Sequence, residues 1–246
     1  MKKLVAYITS SYPDSNFTID LSHKLAEAGA DYLELGVPFS DPVADGPVIE
    51  AANLKALQNG FKIEQLFKIS KEIAPVINTL WMGYFNPFYH KGLDNFIKEA
   101  KKSGVKGFII PDLPYEEALK YKPQIEQSKL SLIDFVAPTD SKERVSKIVK
   151  DAKEFIYMVA YAGITGSGKS EDLKELISNV KEYSNTPLFI GFGVNAKNAK
   201  EKVQDVDGVI VGSEFVKVLL ENNLNHTQKI DKIASIAKEI KDKINS

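Results

Sequence analysis

Short apolar runs alternate with amphipathic segments along the whole chain, and this alternation constrains the fold more than any other feature. Eight runs have the length and pattern of β-strands, and helical periodicity returns between them. The predicted strands span residues 4–9, 31–36, 76–84, 107–110, 130–137, 155–160, 188–190 and 208–211. The main predicted helices span residues 15–29, 48–58, 63–73, 93–102, 116–127, 145–150, 170–181 and 227–243, with shorter ones expected after Asn195 and Ser213.

Strands that alternate with helices in this way are typical of parallel βα units. Eight such units in about 250 residues predict an α/β fold, a closed (β/α)₈ or TIM barrel. No linker or change of composition divides the 246 residues, so we expect one domain over residues 1–246. An open, doubly wound sheet is the alternative. In a barrel, the active site lies at the C-terminal ends of the strands.

The second predicted strand runs into an acidic, proline-rich loop, LELGVPFSDPVADGP, at residues 33–47. Alternation along the strand puts Leu33 and Leu35 on one face and Glu34 on the other. If helices cover the leucines, Glu34 points into the barrel, where burial of an unpaired carboxylate raises its pKa. Such a group suits general acid/base chemistry near neutral pH. A structural Glu34, held by an ion pair or by backbone N–H groups, is the other interpretation.

Glycine-bearing turns follow the last three predicted strands, at residues 163–166, 191–193 and 212–213. Glycine lets backbone N–H groups approach an anion closely, and Ser213 begins a helix whose N-terminus favours negative charge. Barrels often bind phosphate beside strands seven and eight. Together these turns therefore predict a phosphate site. Any one of them alone could equally be an ordinary tight turn between a strand and a helix.

The segment GITGSGKS at residues 163–170 also fits the nucleotide-binding pattern G-x-x-x-x-G-K-S. A nucleotide-binding protein is therefore a rival hypothesis. The match comes only after five complete βα units, and no neighbouring strand ends in a convincing Mg²⁺ ligand, with Asp112 and Asp134 the nearest candidates. We therefore disfavour this reading.

Composition excludes several other kinds of function. The formal net charge is −1, which gives no general field for nucleic acid or a membrane surface, and the chain has no cysteine. The N-terminal apolar run is too short for a signal peptide, so we expect a cytoplasmic protein. His23, His90 and His226 do not cluster with acids, so no metal is expected. Carboxylate chemistry is therefore expected, beside residues that fit an apolar pocket (Met82, Tyr84, Phe135, Tyr157 and Phe192).

The acidic loop at residues 33–47 resembles the signature of tryptophan synthase α subunits, and further motifs follow in that family's order at residues 82–87, 111–114, 136–139, 163–166 and 191–193 and at residues 211–213. The resemblance implies a (β/α)₈ barrel that cleaves indole-3-glycerol phosphate to indole and glyceraldehyde 3-phosphate, a retro-aldol reaction. It also implies a β-subunit partner in an α₂β₂ complex. Pyridoxal phosphate is expected only in that partner, with no cofactor in this chain.

The same resemblance implies roles for individual residues. Glu34 matches the general acid/base, Asp45 the acid that hydrogen-bonds the indole N–H, and Tyr157 the tyrosine that orients the substrate. The remaining matches are Gly166, Gly193, Gly212 and Ser213 for the phosphate, Tyr7, Tyr84 and Phe192 for the indole pocket, Thr165 for loop closure over Asp45, and Asp41 for contact with the β subunit. A stand-alone lyase without a partner, and a non-enzymatic barrel that only activates a β subunit, are the competing readings.

Overall fold

The computed structural model describes residues 1–159 and 170–246, and its strands form one parallel, nearly closed barrel. The strands are β1 (Lys3–Thr9), β2 (Tyr32–Gly36), β3 (Asn78–Met82), β4 (Gly107–Ile109), β5 (Ser131–Leu132), β6 (Asp134–Val136), β7 (Ile156–Val159), β8 (Leu188–Gly191) and β9 (Gly208–Val211). They lie in the order β5-β4-β3-β2-β1-β9-β8-β7-β6.

The barrel closes at the segment predicted as a single strand over residues 130–137. There β5 pairs with β4 and β6 pairs with β7, and Ile133 lies between them. The Ile133 amide donates to the Phe108 carbonyl at 2.9 Å, so the chain stays extended across the interruption. β5 and β6 are thus two parts of the fifth barrel strand. The predicted (β/α)₈ barrel is confirmed, and the open sheet is wrong.

Helices follow the strands around the outside of the barrel. Those in the described residues are α1 (Ser15–Glu27), α2 (Pro47–Gln58), α3 (Ile63–Ile73), α4 (Phe85–His90), α5 (Leu93–Ser103), α6 (Tyr115–Ala118), α7 (Lys122–Gln127), α8 (Lys142–Val149), α9 (Ser170–Tyr183), α10 (Ala199–Lys202), α11 (Ser213–Leu220) and α12 (His226–Ile244). None of them is both long and apolar enough to cross a membrane.

Side-chain caps fix where several helices begin. The Asp14 side chain accepts a hydrogen bond from the Phe17 amide at 2.9 Å and starts α1, as the sequence predicted. Ser141 does the same for α8, which therefore begins three residues earlier than predicted. Asn225 and Gln228 form a reciprocal capping box at the start of α12.

The predictions were wrong in detail where prolines and turns intervene. The predicted helix over residues 116–127 divides into α6 and α7, because Pro123 lies in the first turn of α7, where it needs no N–H partner. The third strand, predicted over residues 76–84, spans only Asn78–Met82, and residues 86–87 lie inside α4. The short helix after Asn195 begins only at Ala199, since Asn195 instead holds a turn by accepting from the Lys197 amide at 2.9 Å.

Two apolar layers support the barrel. The larger lies between strands and helices and contains Leu33 and Leu35, both fully buried. The smaller fills the barrel interior and consists of Val5, Leu80, Ile109, Ile133, Phe155, Tyr157, Phe189 and Ile210. Because Leu33 and Leu35 face the helices, Glu34 faces the interior, as the alternation predicted. The interior packing leaves a cavity at the C-terminal ends of the strands.

Candidate active site

A cavity of about 460 Å³ opens at the C-terminal end of the barrel. Its walls come from β1, β2 and the last three strands, from the loop before α2, and from the start of α11. The polar and glycine residues that line it are Tyr7, Glu34, Asp45, Gly46, Tyr157, Gly193, Asn195, Gly212, Ser213, Glu214 and Lys217. The acids at residues 34 and 45 therefore share one cavity with two of the three predicted phosphate-binding turns, those at residues 191–193 and 212–213.

Glu34 lies in β2, in register with Tyr7 of β1 and Leu80 of β3. Its side chain is 2% exposed, and its Oε1 has no hydrogen-bond partner among the described residues. Burial raises the pKa of the Glu34 carboxyl to about 8, and the negative charge of Asp45 adds to the shift. At neutral pH this group is mostly protonated, yet close enough to its pKa to give up and regain a proton.

Asp45 lies in the loop that leads into α2. Burial raises the pKa of its carboxyl to about 6, while hydrogen bonds from Tyr84 and Asn53 limit the rise. Asn53 Nδ2 donates to Asp45 Oδ2 at 3.2 Å, and the Tyr84 hydroxyl accepts from the Ala44 amide at 3.0 Å. Hydrogen bonds therefore hold the loop at Ala44 and at Asp45. At neutral pH Asp45 is mostly ionised, in contrast to Glu34.

Two buried tyrosines occupy space that glycines leave open. A Cβ atom on Gly36 would lie 2.4 Å from the Tyr7 hydroxyl oxygen, and one on Gly191 would lie 2.4 Å from Tyr157 Cε1. Burial raises the pKa of both phenols well above the usual value, so both remain neutral donors. For Tyr157, the charge of Glu34 is the next cause after burial. The two rings thus bring hydroxyl groups into the cavity beside the acids.

The opposite wall of the cavity is formed by two turns. Phe192 and Gly193 both have φ of 70°, a left-handed conformation that turns the backbone sharply after β8. The Gly193 carbonyl accepts from Asn198 Nδ2 at 2.8 Å, which fixes this turn. After β9, Gly212 precedes α11, whose first residue is Ser213. Free N–H groups at such a helix start favour an anion.

Among the aromatic candidates, Tyr7, Tyr157 and Phe192 line the cavity, whereas Tyr84 and Phe135 are not among its lining residues. Phe135 stacks on Tyr157 with ring centroids 4.9 Å apart, and Phe192 approaches Tyr157 edge-on at 6.3 Å. Phe192 is 39% exposed, so it lies at the opening of the cavity. Tyr84 is buried and stacks on Phe39 of the acidic loop. The apolar side of the cavity comes from other lining residues, Val43, Ile49, Met82, Val194 and Ile210, together with Phe192.

Three further candidates are not among the described residues that line the cavity. Thr165 and Gly166 fall within residues 160–169, outside the described residues, as does nearly all of the G-x-x-x-x-G-K-S segment. Asp41 is exposed on the acidic loop, away from the cavity lining. Within the described ranges, no three side chains of the His, Cys, Asp and Glu types come together to hold a metal.

The two acids considered as Mg²⁺ ligands have structural contacts instead. Asp112 accepts from the Phe85 amide at 2.8 Å and so holds the start of α4. Asp134 forms a buried ion pair with Lys122 at 2.8 Å. Neither observation supports the nucleotide-binding hypothesis.

Several residues that shape the cavity were missed in the sequence. Asn53 is the only polar residue among the buried positions of α2, beside Ala52 and Ala56, and that oddity could have identified it. Gly191 was predicted only as part of a turn and Gly36 only as part of the acidic-loop motif. Their contacts with Tyr157 and Tyr7 could not have been predicted, because they depend on which side chain the neighbouring strand brings next to each glycine. Lys217 carried no signal beyond helical spacing from Ser213.

Comparison with known proteins identifies what this chain is similar to. The family model described as tryptophan synthase alpha chain matches residues 1–245. The tryptophan synthase alpha chain of Wolinella succinogenes is 56% identical over 247 residues, which cover 100% of this chain and 97% of that relative. The alpha chain of Petrotoga mobilis is 38% identical, over 98% of this chain and 95% of that relative. The crystal structure of tryptophan synthase subunit alpha from Legionella pneumophila superposes with a TM-score of 0.89 at 32% identity, over 99% of this chain and 93% of that one.

Proposed function

The chain belongs to the tryptophan synthase alpha chain family, and we propose that Glu34 and Asp45 carry out its cleavage of indole-3-glycerol phosphate. Membership makes the protein a lyase of tryptophan biosynthesis. One observation carries the assignment of residues. A buried carboxyl with an unpaired oxygen shares a cavity with a second, ionised acid and with two turns suited to phosphate.

Glu34 first acts as an acid. With a pKa of about 8 its carboxyl is mostly protonated at neutral pH, and it gives its proton to C3 of the indole ring. The resulting carboxylate then takes the proton of the hydroxyl on the carbon attached to C3. The bond between those two carbons breaks, its electrons return to the ring, and the hydroxyl carbon becomes the aldehyde of glyceraldehyde 3-phosphate. Glu34 ends protonated, ready for another turnover.

Asp45 stabilises the intermediate charge. Protonation of C3 leaves positive charge on the ring nitrogen, and an ionised carboxylate that accepts the indole N–H lowers the energy of that state. The hydrogen bonds from Asn53 and Tyr84 keep the pKa of Asp45 lower than burial alone would set it. The two acids thus have different protonation states at one pH, which the two-step proton transfer requires.

The other candidates hold the substrate. Tyr157 orients it through its hydroxyl, and Tyr7, Tyr84 and Phe192 enclose the indole. Gly193, Gly212 and Ser213 offer backbone and hydroxyl donors to the phosphate. The roles of Thr165 and Gly166 remain predictions from the family resemblance.

As an alpha chain, the protein works with a tryptophan synthase beta subunit, and we propose an α₂β₂ assembly in which pyridoxal phosphate belongs to the beta subunit. Asp41 is exposed on the acidic loop, and Val43 beside it is 82% exposed, which supports this loop as the contact region. We take residues 1–246 to be one barrel domain. A stand-alone lyase is the competing proposal.

The test is an assay of indole release from indole-3-glycerol phosphate, with the purified protein alone and with its beta subunit. We expect slow release alone and faster release with the partner. Equal rates in both would support the stand-alone lyase instead. No release under either condition, from protein that is folded by circular dichroism, would contradict the assignment.

A further inference from the structure

The cavity has an excess of negative charge when a phosphorylated substrate is bound. Its charged lining consists of Glu34, Asp45, Glu214 and Lys217. At neutral pH the mostly protonated Glu34 contributes little charge, whereas Asp45 is mostly ionised, and Glu214 is a further acidic side chain in the lining. The substrate's phosphate adds a charge of about −1.5 to −2. Backbone N–H groups supply only partial charges against this excess, so a full positive charge nearby would stabilise the bound phosphate further.

Lys217 is the single basic side chain in the described lining of the cavity. It lies four residues after Ser213 on α11, and residues at that spacing share one face of a helix. It forms no hydrogen bond or ion pair within residues 1–159 and 170–246. Two lysines of the next helix differ in this respect, since Lys229 donates to the Leu219 carbonyl at 2.7 Å and Lys232 pairs with Glu221 at 2.6 Å.

We propose that the Lys217 ammonium group is the counter-charge that binds the phosphate of the substrate, next to the donors of Gly212 and Ser213. The flexible side chain of a lysine can bring a compact charge to a phosphate that the backbone already positions. An arginine is not available for this task, because Arg144 is the sole arginine of the chain and pairs with Asp140 and Glu116. The inference rests on the proposed function, since it requires a phosphorylated substrate in this cavity.

The variant Lys217→Met removes the charge and keeps most of the length of the side chain. Because the interaction is made equally in ground and transition states, we expect KM for indole-3-glycerol phosphate to rise on the order of tenfold, with kcat nearly unchanged. Inhibition by inorganic phosphate should weaken by a similar factor. Lys217→Arg should retain most of the affinity.

Lys197→Met is the matched control. Lys197 is also exposed and lies near the Gly193 turn, but its side chain does not line the cavity. It changes the net charge by the same amount, so it reports any long-range attraction of the substrate. We expect a change in KM of less than twofold.

The decisive readout is the preference in kcat/KM for indole-3-glycerol phosphate over indole-3-glycerol, which lacks the phosphate. This ratio should fall about tenfold in Lys217→Met and less than twofold in Lys197→Met. An unchanged ratio in Lys217→Met, or an equal fall in both variants, would overturn the inference while leaving the proposed function intact. A wild-type protein that releases no indole would instead overturn the proposed function.

Discussion

Asp31 immediately precedes the second barrel strand and Glu34 is the central residue of that strand, yet the two acids have opposite surroundings. Asp31 lies at the floor of the barrel, where it accepts from the Leu4 amide and from Lys3, each at 2.9 Å, and also from Lys241. Burial would raise the pKa of Asp31, but these hydrogen bonds outweigh it, and the pKa lies below the usual value. Glu34 has no such partners, and its pKa is raised to about 8.

Asp31 therefore contributes to stability, whereas Glu34 is available for proton transfer. At the floor, a paired acid ties α12 to β1 and β2 through Lys241 and the Leu4 amide. In the cavity, no described hydrogen-bond donor offsets the cost of burying the charged form of Glu34. The group can therefore exchange a proton with a substrate. Unsatisfied buried groups are rare in folded proteins, and an unpaired oxygen in a cavity is therefore informative.

The largest effect expected from this contrast is in Glu34→Gln. The amide cannot give up and regain a proton, so indole release should fall by about 10²–10⁴-fold. The free energy of unfolding should stay equal or rise at pH 8, since an amide carries no charge to desolvate. Asp31→Asn is the control and should keep its kcat. Substantial turnover in Glu34→Gln would show that proton transfer does not depend on the Glu34 carboxyl.

Asp31→Asn should show the converse effect on stability. Loss of the charge weakens the hydrogen bonds to Lys3 and Lys241 and should destabilise the protein by about 1–3 kcal/mol. Denaturant unfolding at pH 7 measures this, and Lys241→Met should give a similar loss because it breaks the same ion pair. If Asp31→Asn were as stable as wild type, the floor would not have the role assigned to it.

Asn53→Ala tests the role of Asp45 without replacing it, because the variant removes a hydrogen-bond donor to the Asp45 carboxylate. Without the donor, the pKa of Asp45 should rise above about 6, since a hydrogen bond to the ionised form is lost. The acid limb of the kcat/KM profile should move to higher pH, with a loss of activity at pH 6.5 on the order of tenfold. Asn59→Ala, at the end of the same helix, removes only a hydrogen bond to the Pro13 carbonyl and should leave the profile in place.

The last expected effect is a pair of opposite slopes in stability with pH. The raised pKa of Glu34 means that the folded state binds its proton more tightly than the unfolded state, so ionisation costs stability as pH rises from about 4.5 to about 8. The advantage of Glu34→Gln over wild type should grow across that window. The lowered pKa of Asp31 gives stability above about 3.8 that is lost in acid, so the deficit of Asp31→Asn should shrink below that pH. If the stability of both variants relative to wild type changed with pH in the same direction, the difference proposed between Asp31 and Glu34 would be wrong.

Much of this molecule could be predicted from residues close together in the chain. The alternation around Glu34 is local, and so are the cap at Asp14 and the glycine turns, which is why the barrel and the inward acid were confirmed. The contact between Tyr7 and Gly36 depends on strand register, and the donation from Asn53 to Asp45 depends on how α2 packs. The interruption at Ile133 comes from pairing with two different strands. Such features arise from tertiary structure and leave little trace in the sequence.

Within the described residues, Glu34 is buried and its Oε1 lacks a hydrogen-bond partner, so that its carboxyl is mostly protonated near neutral pH. Infrared difference spectroscopy of the full chain, titrated from pH 4 to pH 10, measures this directly when the carboxyl band absent from Glu34→Gln is followed. We expect that band to disappear with a midpoint near pH 8. A midpoint near the ordinary value of about 4.3 would contradict the account.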